Sequence, residues 1–222
     1  MRRQHVLSFG AVIVTFAVLG ASNAFGAVCT KPVSASVEMR LFDPAPKLLR
    51  TSSLNQINSK AKAHGLLKRG NLVLGLTQSE IETSMHIRFS GYKQGGRMCL
   101  NVHRVEARFG HSVLNVQLPR EYKQGSCQYT TVLKHEMEHV RVNREGVRKY
   151  ARLLKRELEK SVAWFNPRQV RSMEAGQRDA QRALQNIVTK VTNKFRKEIS
   201  AQHAAIDKPG GPYDASGACR TW

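Results

Sequence analysis

The sequence predicts an α+β fold in which a small mixed or antiparallel sheet is followed by a long antiparallel helical hairpin. Three observations carry that prediction. Apolar and polar residues alternate through much of the chain before about residue 125, the period of a half-buried strand. From about Thr130 the apolar spacing changes to threes and fours, and only Asn166-Pro167 interrupts it before Pro209-Gly210-Gly211-Pro212. At 222 residues with 41% hydrophobic content, the chain is long enough for one folded domain and too rich in Leu, Ile, Val and Phe to be disordered.

The first element is a secretory signal at 1–24. Met1-Arg2-Arg3 precedes an apolar run from Val6 to Ala21, and small residues follow at the spacing of a cleavage site. The run is shorter than the roughly 20 residues of a spanning helix. The mature chain, 25–222, is therefore expected to be an exported single domain, periplasmic or extracellular, with no stable membrane span after cleavage. It divides into a strand-rich half at about 28–125, a helical half at about 130–207 and a C-terminal tail. Cys29, Cys99, Cys127 and Cys219 all fall in it, and four cysteines in an oxidising compartment predict two disulfides. Three pairings are open, with Cys99 to Cys127 and Cys29 to Cys219 preferred because they would tie a strand to the first long helix and join the two ends.

In the strand-rich half, Val33, Ala35, Val37, Met39 and Leu41 alternate with mostly polar residues until Asp43-Pro44-Ala45-Pro46. Lys47 to His64 carries Leu48, Leu49, Leu54, Ile57 and Ala61 at helical spacing, with Gly65 as a stop. Strands are predicted at Asn71 to Thr77, Ser84 to Phe89, Met98 to Phe109 and Ser112 to Leu118. The last two are expected to be joined through Gly110 and His111, a link too short for a parallel crossover. In the helical half, Leu133, Met137, Val140, Val147, Ala151, Leu154, Leu158 and Phe165 form the first stripe, with Gly146 as a place to bend. Val170, Met173, Ala180, Leu184, Ile187, Val191, Phe195 and Ile199 form the second.

Near the start of the first arm stands His135-Glu136-Met137-Glu138-His139, a His-Glu-x-x-His motif. On a helix, residues four apart lie one turn above each other, so both imidazoles can reach a single Zn²⁺. Glu136 then points beside the metal, where it can take a proton from the activated water and pass it to a leaving amine. Glu138 is not at a position the motif needs. His64, His86, His103 and His111 have no spacing that makes a site.

This motif resembles the active-site helix of zincin metallopeptidases, and the wider order is similar to a bacterial family of secreted zinc-dependent proteases. The matching features are Cys99-Leu100-Asn101-Val102, a strand ending in Val116-Gln117-Leu118-Pro119, then Val132-Leu133-Lys134-His135-Glu136, and a late helix ending near Ile206-Asp207 with Tyr213 soon after. They span most of the mature chain, but only the HExxH element is specific. The resemblance implies a small α+β zincin that hydrolyses peptide bonds in a peptide or protein substrate.

The third ligand is less legible. Glu145 and Val142 stand where a turn-based third histidine and its glycine would be, and without that turn Glu145 is too far along the axis. Matching the arms about Asn166-Pro167 brings residues near 198 opposite His135, which makes His203 the first candidate and Asp207 the second. His135 and His139 lie well over 100° from the stripe through Leu133, Met137 and Val140, so a ligand from the tail reaches them more easily than one from the middle of the second arm. Tyr213 is a candidate for packing or for stabilising an oxyanion.

Charge is the remaining signal. The chain carries 36 Lys plus Arg against 16 Asp plus Glu, net +20, of which Arg2 and Arg3 would leave with the signal. Between Lys134 and Glu198 there are 17 basic and 8 acidic residues. Export and the lack of interleaved aromatic residues argue against nucleic acid as the partner. An anionic envelope polymer gripped by the two arms is the rival to catalysis, with the histidines then incidental.

Overall fold

A computed structural model describes residues 29–31, 34–66, 72–215 and 217–222. The expected signal at 1–24, and Val33 at the head of the first expected strand, lie outside them. In chain order the elements are β1 (Ser36–Phe42), β2 (Lys47–Leu49), α1 (Leu54–Ala63), β3 (Leu76–Gln94), β4 (Arg97–Gln117), α2 (Cys127–Phe165), β5 (Arg168–Val170) and α3 (Met173–Ile206).

The chain is thus mixed α and β, with a five-stranded sheet and three helices. Gly95 and Gly96, at φ 57° and 76°, turn β3 back onto β4, a left-handed pair that glycine adopts without steric cost. β4 is the axis of the sheet. β3 runs antiparallel along one side of it, while β5, β1 and β2 follow one another along the other. β1 and β2 are parallel to β4, so the sheet is mixed and the antiparallel alternative does not hold.

Three expected breaks differ from the structure. Met98 to Phe109 and Ser112 to Leu118 are one strand, because Gly110 is not a turn: a Cβ there would meet the Phe42 carbonyl oxygen at 2.0 Å, so its bare backbone admits β1. A register shift leaves Ser112 unpaired between Val113 and His111, a bulge within the continuous strand. Residues 72–75 precede β3 rather than belonging to it, and Ser84 to Phe89 is its middle. Lys47 to His64 is not one helix but β2 followed by α1. Ser53 and Gln56 close a reciprocal capping box that starts the helix only at Leu54.

α2 starts at the N-cap Ser126, whose hydroxyl accepts from the Tyr129 amide, and it continues through Gly146. That glycine is a close approach: a Cβ would lie 2.4 Å from Ile199 Cδ1, so its absence lets α3 in. The main core joins Leu100, Val102, Val105 and Phe109 of β4 to Val147, Leu154 and Leu158 of α2 and Leu184, Val191 and Phe195 of α3. Each fully buried leucine contributes about 1.5–3 kcal/mol. A smaller cluster of Leu114, Val116, Leu118, Tyr122, Val132 and Val140 lies under the first turns of α2 and fixes their height over the sheet.

The disulfides join Cys29 to Cys99 and Cys127 to Cys219, not the preferred pairing. The chain before β1 runs beside the start of β4, and the tail after α3 returns to the start of α2. Sequence distance carried neither fact. Among the described residues no helix is long and apolar enough to cross a membrane.

Candidate metal centre

Two ends converge at the first turns of α2. The Cys127–Cys219 disulfide ties the C-terminal tail there, Gln128 Nε2 donates to the Thr221 carbonyl at 2.7 Å, and the Trp222 ring meets Tyr122 edge to face. α3 arrives with Asp207 as its C-cap, the backbone N–H of which donates to the His203 carbonyl.

His135, His139 and Asp207 thereby come together. His135 Nε2 lies 3.3 Å from Asp207 Oδ1, His139 Nε2 lies 3.0 Å from the same oxygen, and the two Nε2 atoms are 3.2 Å apart. A tetrahedral zinc with bonds of about 2.0–2.2 Å needs ligand atoms about 3.3–3.6 Å from one another. The three edges are within a few tenths of an ångström of that triangle, so this donor set fits the ion. Among the described residues it is the group whose ligand atoms converge in this way.

The outer ring nitrogens are held as well. His135 Nδ1 is 2.8 Å from the Tyr213 carbonyl oxygen, and His139 Nδ1 is 2.8 Å from His203 Nδ1. Of the two expected third ligands, Asp207 joins the convergent group and His203 does not; it sits on the far side of the His139 ring. Tyr213 serves through its carbonyl, and its side chain packs partly buried against the core. The α2 backbone is fixed in turn: Asn143 Nδ2 donates to the His139 carbonyl at 2.9 Å, and Asn143 Oδ1 accepts from Ser79 at 3.1 Å.

Glu136 is buried at 4% exposure, and its Oε2 accepts from Thr77 Oγ1 at 2.7 Å. The other carboxylate oxygen lies against Gly75, where a Cβ would come within 2.7 Å of it. The chain leading into β3 therefore roofs the carboxylate, and a side chain at Gly75 would displace it. That entry is itself pinned by Asn58 of α1, which exchanges two hydrogen bonds of 2.9 Å with the Val73 backbone.

Electrostatics follow from this enclosure. Burial pushes the Glu136 pKa up, against the pull of the His139 charge and the Thr77 hydrogen bond. Burial alone would lower His135, but its bonds to Asp207 and the Tyr213 carbonyl raise it to about 9. Burial and the neighbouring His139 lower His203 to about 4. For Asp207, burial raises the pKa, but the hydrogen bonds from His135 and His139 and their charges outweigh it and hold the carboxyl well below the usual range. The Asp207 side chain is 58% exposed while His139 is 10% exposed, so the cluster opens to solvent on the Asp207 side.

The expected stripe is displaced at this end. Met137 is 41% exposed, and Glu136, His139, Val140 and Asn143 form the buried row instead. The face that carries the histidine pair thus coincides with the row that is apolar further along α2. Thr77, Gly75 and Asn143 carried no sequence signal, because their roles depend on where β3 starts. His111 is buried at 1% under Phe195 and stands apart from the cluster, its pKa lowered by burial. Comparison with protein families, with curated proteins and with solved structures returned no match to this chain.

Proposed function

We propose that this chain is an exported zinc-dependent peptidase of the zincin type, with His135, His139 and Asp207 holding the ion and Glu136 acting as general base. The observation that carries the reading is the triangle of His135 Nε2, His139 Nε2 and Asp207 Oδ1, with edges of 3.0–3.3 Å, beside a buried glutamate one residue from the first histidine. When bound, zinc supplies a Lewis acid that makes water acidic enough to lose a proton near neutral pH and polarises a carbonyl. Glu136, its pKa raised by burial, takes the proton as water oxygen adds to the peptide carbonyl carbon, and returns it to the amine nitrogen as the C–N bond breaks. Thr77 keeps the carboxylate in place.

The two disulfides support export, since such bonds persist in oxidising compartments. We read α2, the short β5 link and α3 as an antiparallel hairpin that delivers Asp207 to the motif. In support, Lys149 of α2 pairs with Glu198 of α3 at 2.6 Å, and His135 meets Asp207 fourteen residues earlier on α2 and nine later on the other arm. In the test, zinc-loaded protein is offered an unstructured protein substrate. Glu136→Gln is expected to keep its zinc and lose turnover by about 10²–10⁴-fold; undiminished cleavage by that variant refutes the assigned role.

One observation favours a second reading, attachment to an anionic envelope polymer. On α2, six of the nine basic residues, Arg141, Arg144, Arg148, Lys149, Lys155 and Lys160, are in ion pairs, and Lys134, Arg152 and Arg156 are in none among the described residues. On α3, Arg178, Arg182, Lys190, Lys194, Arg196 and Lys197 are exposed and have no ion pair within 4 Å among the described residues, and Lys190, Lys194 and Lys197 line one stretch of surface together. Attachment through that surface is compatible with catalysis at Asp207, which follows Lys197 by about 15 Å along the helix axis. It becomes the whole function only if the histidines bind no metal.

A further inference from the structure

Zinc bound by a histidine through one ring nitrogen requires the other to carry a proton, and that N–H needs an acceptor that fixes the tautomer and the ring angle. For His135 the structure supplies a backbone carbonyl, that of Tyr213. For His139 it supplies a side chain, His203.

We propose that His203 is a positioning residue for the metal centre: its neutral imidazole accepts the Nδ1–H of His139 and so presents His139 Nε2 to the ion. The inference rests on the zinc reading above and assigns His203 a part in it other than that of a ligand.

Geometry separates the two roles. The atoms that converge are His135 Nε2, His139 Nε2 and Asp207 Oδ1, and His203 is not among the groups whose ligand atoms all lie within 4.8 Å of one another. Its contact is with Nδ1, on the side of the His139 ring facing away from that point. Helix spacing explains the difference. His203 and Asp207 are four apart on α3, one turn above each other, as are His135 and His139 on α2. Asp207 therefore faces the Nε2 atoms of both histidines, while His203, about 6 Å further along the axis, meets only the inner one from behind. The two rings lie 4.8 Å apart between centroids and are tilted by 51°, an arrangement that directs one nitrogen at the other instead of stacking the faces.

In this arrangement His203 must offer a lone pair at Nδ1, so its own proton resides on Nε2. An amide oxygen placed where Nδ1 stands can do the same work, and asparagine puts one there. Alanine cannot.

The experiment measures Zn²⁺ affinity and stoichiometry, by competition with a chromophoric chelator, for the wild-type chain, His203→Ala and His203→Asn. Absorption of the Co²⁺-substituted proteins reports the ligand set. The expected result is one metal per chain in all three, an unchanged Co²⁺ spectrum, an affinity about 10–100-fold lower for His203→Ala, and recovery of most of that loss in His203→Asn. In the zinc-loaded wild type, ¹⁵N shifts should show His139 Nδ1 protonated and His203 neutral and uncoordinated. A changed Co²⁺ spectrum, or direct ¹⁵N evidence of metal on His203, makes it a ligand and overturns the proposal. Unchanged affinity in His203→Ala overturns it too, as does His203→Asn being no better than His203→Ala. A wild-type chain that binds no zinc defeats the underlying reading, which the first titration registers before any variant is compared.

Discussion

From Val147 to Phe165 the inner face of α2 carries Val147, Ala151, Leu154, Leu158 and Val162, packed on the sheet and on Leu184, Val191 and Phe195 of α3. From Glu136 to Asn143 the same face carries Glu136, His139 and Asn143, opposite His203 and Asp207. One end is held by removing apolar surface from water, which is insensitive to geometry over a few tenths of an ångström. At the other end Glu136, His139 and Asn143 each have a named partner, without which the desolvation of the group would cost about 1–3 kcal/mol. A helix pair can afford such a polar end only because its apolar end supplies the stability. The division of labour suggests that changes at one end should leave the other's property intact.

The largest effect expected on the apolar side is Leu158→Ala. Leu158 is fully buried, and truncating it should cost about 2–5 kcal/mol of folding free energy, read from urea unfolding. Zinc stoichiometry of the folded fraction should remain that of the wild type. If metal binding is lost while the chain stays folded, the two ends are not separable in this way.

A smaller effect distinguishes the polar side by pH. In the metal-free chain His135 has its pKa raised to about 9, above its unfolded value near 6.5, so its contribution to stability is complete below about pH 6.5 and fades as pH rises through 9. Zinc binding at the proposed site should run the other way, because the ion would have to displace that proton. Affinity should therefore rise about tenfold per pH unit below 9 and level off above it, with about one proton released per zinc in calorimetry across buffers of different ionisation enthalpy. A pH-independent affinity between 6.5 and 8.5 would show that His135 does not have to give up a proton to the metal.

The same contrast explains what could be read from the sequence. The apolar end was legible: the stripe through Val147, Leu154 and Leu158 and its partner through Leu184, Val191 and Phe195 are buried as the periodicity predicts. Extending that stripe back to Leu133 and Met137 misplaced the buried face of the histidine pair, because the row turns polar there and periodicity detects only apolar residues. The HExxH motif was legible because both of its histidines and its glutamate lie within five residues on one helix. Asp207 was a second choice behind His203, since counting along two arms gives proximity but not which ring nitrogen a neighbour meets. Thr77, Gly75 and the Tyr213 carbonyl depend on the entry to β3 and on a tail returned by Cys127–Cys219, contacts between segments far apart in sequence. Gly110 misled for a related reason. Glycine permits both a turn and a close approach, and only the presence of β1 beside it decides between them.

If His135, His139 and Asp207 form a zinc site as proposed, metal analysis of the chain purified from zinc-replete cells reads it out without a substrate. About one zinc per wild-type chain and a folded but zinc-free His135→Ala variant are expected. A wild-type chain that is folded, has both disulfides closed and neither carries nor takes up zinc would contradict the proposal.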